Sequence, residues 1–144
     1  MNLNIKTTRS SLGFTLLELL VVVALIGILA AVGVVTYSGY VKGTKKKSAE
    51  NSMMQLSLAQ TEYYSENSTY YGPSAGSDCT PSSATSDTVE TALVEGAELF
   101  TTEVGYNVCI ITNAAKKYYI VAKEDSGNCK IKLDGNQTFT RENC

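Results

Sequence analysis

Four cysteines are the residues of this sequence best suited to covalent chemistry. Cys79, Cys109, Cys129 and Cys144 all lie in the second half of the 144-residue chain, and no two form a C-x-x-C pair. Even, widely spaced cysteines are typical of disulfides made in an oxidising compartment, whereas metal cages and redox pairs have close spacings. The spacing therefore predicts disulfides and no metal site.

Catalytic chemistry has few candidates. The chain contains no histidine, which excludes Ser-His-Asp and Cys-His arrangements and histidine-based zinc sites. Glu124 and Asp125 are adjacent in a predicted turn, where a solvated surface is expected, and no calcium-loop spacing is present. The net charge of −2 does not favour a nucleic-acid binder. We therefore expect no enzyme, no cofactor, no catalytic residue and no specific nucleic-acid site.

One carboxylate, Glu18, lies near the start of a strongly apolar segment. Every residue from Leu19 to Val35 is apolar or glycine, and about 20 apolar residues in a helix span the ~30 Å core of a bilayer. A carboxylate inside the hydrocarbon costs about 2.5–3.5 kcal/mol on insertion scales, so such residues usually have a partner. Either Glu18 reaches the headgroups from one turn inside the membrane, or it needs a cation.

The apolar segment favours a membrane anchor over a cleaved secretory signal. A signal peptide has an apolar core of about 7–15 residues and a small-residue cleavage site, whereas this segment is longer and continues into TYSGYVKGTKKKSAEN. Lys6 and Arg9 precede the segment and four lysines follow it at positions 42–47, so the positive charges do not set the topology clearly. The cysteines place the C-terminal part outside.

The residues around Glu18 resemble a known family. A basic leader, Gly13-Phe14, the letters TLLE and an uninterrupted apolar run together resemble the processing site of type IV prepilins. In that family a prepilin peptidase cuts after the glycine on the cytoplasmic face and methylates the new N-terminal amine. The resemblance implies cleavage between Gly13 and Phe14 and N-methylation of Phe14. It also implies that Glu18 attracts the N-terminal ammonium of a neighbouring subunit during filament assembly.

The chain divides into five predicted segments. These are a leader peptide (1–13), a hydrophobic transmembrane and filament-core helix (14–40), an amphipathic helical half (41–67), an acidic loop region with a short helix (68–105), and an antiparallel sheet with a C-terminal disulfide loop (106–144). Together they predict the α+β class, with the long N-terminal helix packed on a three- to four-stranded antiparallel sheet.

The amphipathic half has one apolar stripe at helical spacing. The stripe consists of Ala49, Met53, Leu56, Gln60 and Tyr63. Glu50 and Ser57 fall mostly off it, and Asn67 begins a group of breakers that predicts the end of the helix. Residues 74–87 predict a polar loop, after which Asp87 with Glu90 is expected to cap a short helix closed by Gly96.

Strand patterns follow in the last third of the chain. YNVCIIT and KYYIVAK alternate and are joined by NAAK, while CKIKL places Cys129, Ile131 and Leu133 on one face. Asp134-Gly135 predicts a tight turn, after which NQTFTREN returns as a last strand or tail. Four cysteines permit three pairings. We expect Cys79–Cys109, and we expect Cys129–Cys144 because it resembles the C-terminal disulfide loop of many pilins.

The resemblance favours a structural subunit of a bacterial type IV pilus. Such a subunit resides in the inner membrane before assembly and in the extracellular pilus afterwards, and its partners are other pilin subunits and the prepilin peptidase. One alternative is a pseudopilin of a type II secretion system. Another is a membrane-anchored exported binding domain whose N-terminus is never cleaved.

Overall fold

The structure is a computed structural model that describes residues 13–76, 78–113 and 117–144. Its elements in chain order are α1 (Leu16–Asn67), β1 (Ser74–Ala75), α2 (Ser83–Val94), β2 (Tyr106–Asn113), β3 (Lys117–Glu124), β4 (Lys130–Asp134) and β5 (Phe139–Glu142). Residues 1–12 of the predicted leader and residues 114–116 of the predicted NAAK connection lie outside the described residues. The chain divides into two compact units, Met1–Tyr40 and Val41–Cys144.

In the first unit, the described residues form the N-terminal part of α1. The large apolar side chains of this segment are exposed to solvent. For example, Phe14, just before the helix, is 84% exposed, and Val35 within the helix is 74% exposed. Among the described residues, α1 is the helix whose length and composition would allow it to cross a membrane. Because exposed leucine, isoleucine and valine side chains are unfavourable in water, this segment needs lipid or protein around it.

In the second unit, α1 packs against the sheet through the predicted stripe. The buried members of the stripe are Ala49, Met53, Leu56 and Gln60. Two expectations are wrong, since Tyr63 is only half-buried, while Glu50 and Ser57 are buried. A buried polar side chain is tolerated when it finds a hydrogen-bond partner. Ser57 shares a hydrogen bond of 2.8 Å with the hydroxyl of Tyr118, and Glu50 binds two cations.

The buried amide of Gln60 fixes the chain where it returns after α1. Its Nε2 donates to the carbonyl oxygen of Tyr71 at 2.7 Å, and its Oε1 accepts from the N–H of Tyr71 at 2.9 Å. Both ends of the amide are therefore satisfied, which explains a polar residue on the apolar stripe. The helix ends at Asn67, where the sequence predicts its end.

The sheet has the order β1-β2-β3-β4-β5, and the pairs β2–β3, β3–β4 and β4–β5 are antiparallel. In register, Ile110 lies opposite Ile120, which lies opposite Leu133. This arrangement confirms the α+β class with an antiparallel sheet. The short β1 corrects the predicted loop at 74–87, because it pairs in parallel with β2, with Ser74 opposite Ile111. Two residues are too few to leave a strand pattern in the sequence.

α2 begins earlier than predicted, so the expected cap is wrong. Its N-cap is Ser82 rather than Asp87, and the Ser82 side chain accepts from the N–H of Thr85. The Thr85 hydroxyl in turn accepts from the N–H of Ser82 at 2.8 Å. Threonine thus takes the place that glutamate or glutamine usually has in a capping box. Glu90 instead accepts from two backbone N–H groups of the following loop, and the N–H of Gly96 closes the helix as predicted.

The core lies between the two helices and the inner face of the sheet. A smaller buried cluster, Cys109, Ile111 and Val121, lies on the opposite face of the sheet against Cys79. The loop that carries Cys79 therefore covers part of the outer face. This cover explains why the centres of β2 and β3 are buried on both sides.

Candidate functional site

The predicted cleavage site consists of two residues that precede α1. The side chain of Phe14 is exposed, and a Cβ added at Gly13 would meet no atom within 4 Å. Gly13 is also not among the residues with positive φ. The fold therefore has no steric or conformational need for glycine at position 13. A need for glycine there would have to come from a partner that approaches the peptide bond.

Glu18 lies in the first turn of α1. Its backbone N–H donates to Oγ1 of Thr15 at 3.2 Å, and the two residues have the S/T-x-x-E spacing of a capping box. A carboxylate in this position is stabilised by the helix dipole by about 0.3–1 kcal/mol. Glu18 therefore has a local role at the start of the helix. The sequence analysis missed Thr15, although the letters TLLE carry the signal.

The four cysteines form two disulfides in the second unit. Cys79 is bonded to Cys109 and Cys129 to Cys144, with sequence separations of 30 and 15 residues, which confirms the expected pairing. The first bridge joins the loop before α2 to β2, and the second joins the tail after β5 to the residue that precedes β4. Closing a loop of about 15 residues contributes about 3 kcal/mol by restricting the unfolded chain. These bridges stabilise the fold, and none of the four cysteines has a free thiol.

A buried carboxylate joins α1 to β5. Glu50 is 5% exposed, and its Oε1 accepts from Nε of Arg141 at 2.6 Å while its Oε2 accepts from Nζ of Lys47 at 2.8 Å. Burial raises the pKa of Glu50, but the hydrogen bonds and charges of Arg141 and Lys47 outweigh it, so that the pKa lies below its usual value. The sequence analysis missed this cluster because Arg141 lies 91 positions from Glu50 and meets it only in the folded chain.

The adjacent carboxylates Glu124 and Asp125 lie outside this cluster. Glu124 is half-buried and Asp125 is exposed, where it accepts a hydrogen bond from the side chain of Asn107. In the ranges 13–76, 78–113 and 117–144, no group of three or more histidine, cysteine, aspartate or glutamate side chains could hold a metal ion. The distinctive feature is thus the exposed apolar helix with Glu18 in its first turn.

Comparison with known protein families points to the same segment. The prokaryotic N-terminal methylation motif matches residues 8–34. The type IV major pilin protein PilA of Myxococcus xanthus (strain DK1622) is 40% identical over 58 residues, which are 40% of this chain and 26% of that protein. The fimbrial protein EcpC of Eikenella corrodens is 44% identical over 54 residues, which are 38% of this chain and 35% of that protein.

The matches to these two relatives span about a quarter and about a third of their lengths. No solved structure matches the chain significantly. Both relatives are named as pilus or fimbrial proteins, and neither name describes an enzyme. The chain therefore contains the N-terminal methylation motif and is similar over 54–58 residues to two proteins that are named as a type IV pilin and a fimbrial protein.

Proposed function

We propose that the chain is a structural subunit of a bacterial type IV pilus. A prepilin peptidase cuts it between Gly13 and Phe14, Phe14 is N-methylated, and the processed chain assembles with other subunits through α1. The observation that carries the proposal is the methylation motif over residues 8–34, a range that includes Glu18 in the first turn of an exposed apolar helix. The inner membrane covers this helix before assembly, and neighbouring helices cover it in the filament.

The charge of Glu18 requires a cation from outside its own segment. Residues 15–41 contain no lysine or arginine, so the nearest cation that processing supplies is the new amine of Phe14. In a medium of low dielectric constant, opposite charges attract far more strongly than in water. An incoming subunit that brings its Phe14 ammonium to the Glu18 of a neighbour therefore offsets the cost of the buried carboxylate.

Two substitutions at Glu18 separate its charge from its role in the helix cap. Glutamine also serves in a capping box, so Glu18→Gln keeps the helix start and removes only the charge, whereas Glu18→Ala removes both. We expect both variants to be processed and to accumulate in the inner membrane. Their content in sheared filaments should fall at least ~10-fold, the change that corresponds to about 1.4 kcal/mol. Quantitative immunoblots of membranes and sheared filaments measure both pools.

A third variant serves as the control. Thr15→Ala removes the capping hydroxyl and keeps the carboxylate, so it should enter filaments at the wild-type level. If Glu18→Gln also enters at that level while Glu18→Ala does not, Glu18 acts only in the cap, and the proposed partner is wrong.

A further inference from the structure

A groove on the second unit lies between α1 and the C-terminal end of α2. Its lining includes Leu58, Ala59, Glu62 and Glu66 from the solvent-facing side of α1, and Leu93 and Glu95 from the end of α2. We call these six residues the acidic groove. Leu58 is 65% exposed. In the described part of residues 41–144, it is the one large hydrophobic side chain that is exposed to solvent. The groove thus has an apolar floor without a partner.

Every charged side chain in the acidic groove is negative. Glu62, Glu66 and Glu95 form no ion pair with the described residues. Both helices also end here, and neither has a basic residue in its last turn. The C-terminal end of a helix has a partial negative charge, which cations there usually balance. The groove therefore presents negative charge that the described chain does not balance.

The same chain has a segment of opposite charge at the start of its second unit. We call residues 41–47 the basic segment. It contains four lysines, and no acidic residue lies between Glu18 and Glu50. Within the described residues, Lys47 pairs with Glu50, while Lys42 and Lys46 are in no ion pair. Lysines that flank a transmembrane helix usually lie on its cytoplasmic side. These four lysines instead precede the part of the second unit that is proposed to be exported, which suggests that they have another role.

The basic segment cannot reach the acidic groove of its own chain. The basic segment and the part of the groove that contains Glu62 and Glu66 belong to α1, in which Lys42 and Glu62 are 20 positions apart. At 1.5 Å per residue this separation is about 30 Å along a continuous helix. The lysines can therefore meet such a groove only on another copy.

We propose that the acidic groove of one copy binds the basic segment of a second copy. The apolar stems of the lysines pack on Leu58, and their ammonium groups reach the three glutamates. Groove and segment are different surfaces of one chain, so the contact is heterologous and repeats from copy to copy, which suits an open filament. The inference rests on the proposed filament function and adds a second contact to the one made by Glu18.

Charge reversal in the full-length chain tests this contact. One variant combines Lys42→Glu with Lys46→Glu, a second combines Glu62→Lys with Glu66→Lys, and a third carries all four changes. Each double variant should lower the content of the chain in sheared filaments at least ~10-fold, and the fourfold variant should return to within about 3-fold of wild type. The control is Lys117→Glu with Lys123→Glu, which reverses two exposed lysines of β3 and should have no effect.

The outcomes separate the two proposals. Absence of the wild-type chain from filaments overturns the proposed function, and this inference with it. If the wild-type chain is present, a groove variant that assembles normally, or a fourfold variant that fails to recover, overturns the inference alone. A loss with the lysine variant only would mean that the lysines bind something else, such as anionic headgroups, and would also overturn it.

Cross-linking gives a result that does not depend on how the variants fold. Wild-type filaments are treated with a zero-length carbodiimide, which joins ammonium to carboxylate, and the dimer band is excised and digested. We expect peptides that link Lys42 or Lys46 to Glu62, Glu66 or Glu95. Dimers that contain other links but none of these would contradict the proposed contact.

Discussion

At the residue scale, each unit contains one carboxylate that carries the argument, and the surroundings of the two carboxylates differ. Glu18 is exposed in the first turn of α1 and has a recognisable local sequence, so the sequence alone predicts its importance. Glu50 is buried, and its partner Arg141 is 91 positions away. No local spacing relates these two residues, which is why the sequence analysis finds only that Glu50 falls mostly off the apolar stripe.

The lowered pKa of Glu50 predicts how the stability of the second unit depends on pH. A carboxyl group with a lowered pKa in the folded state stabilises the fold above its unfolded pKa, near 4.5, and this contribution is lost as the pH falls through the folded value. We expect Glu50→Gln to lower the midpoint of thermal unfolding at pH 7 by ~4–8 °C, the shift for about 1 kcal/mol in a domain of this size.

Thermal unfolding of the full chain in detergent, followed by circular dichroism between pH 3 and pH 7, measures this effect. The difference between wild type and Glu50→Gln should begin to shrink below about pH 4.5, where the unfolded chain binds a proton at Glu50. It should vanish once the pH is below the lowered folded pKa, because the carboxyl is then protonated in both states and resembles the amide. Glu103→Gln, at an exposed position, is the matched control. A difference that stays constant over the whole pH range would contradict the assigned role of Glu50.

At the element scale, the sequence predicts those parts that have a repeating pattern. The stripe of α1 and the strands β2, β3 and β4 follow from periods of 3.6 and 2 residues, and the structure contains these elements. Burial alternates in β4, whereas the centres of β2 and β3 are buried on both faces. The start of α2 and the short β1 depend on single hydrogen bonds that have no period, such as those between Ser82 and Thr85. The sequence analysis accordingly misses both.

The edge strand β5 is only four residues long, and the Cys129–Cys144 bridge holds it. We expect Cys144→Ser to free the thiol of Cys129 and to lower the stability of the second unit by up to about 3 kcal/mol. Insertion into the membrane should not change, because the apolar segment lies in the first unit. Thiol labelling, non-reducing peptide mapping and thermal unfolding measure these effects. Mapping that finds Cys129 bonded to another cysteine in this variant would contradict the expectation.

At the scale of the whole molecule, the two units have different requirements. The second unit has a buried core, two disulfides and hydrogen-bonded buried side chains. Most of its described apolar and polar groups therefore find their partners within the unit. The described part of the first unit exposes its apolar side chains and needs surroundings that the chain does not supply. In the proposed function, the membrane and later the filament supply the surroundings of the first unit, while the second unit keeps its own fold.

The mass of the chain recovered from sheared filaments tests the central claim most directly. We predict a chain that begins at N-methylated Phe14 with both disulfides intact. The control is Gly13→Leu, which the fold tolerates because an added Cβ at Gly13 meets nothing, and which should keep residues 1–13 and stay in the membrane. Filaments that contain the chain with its leader intact, or normal cleavage of Gly13→Leu, would contradict the account.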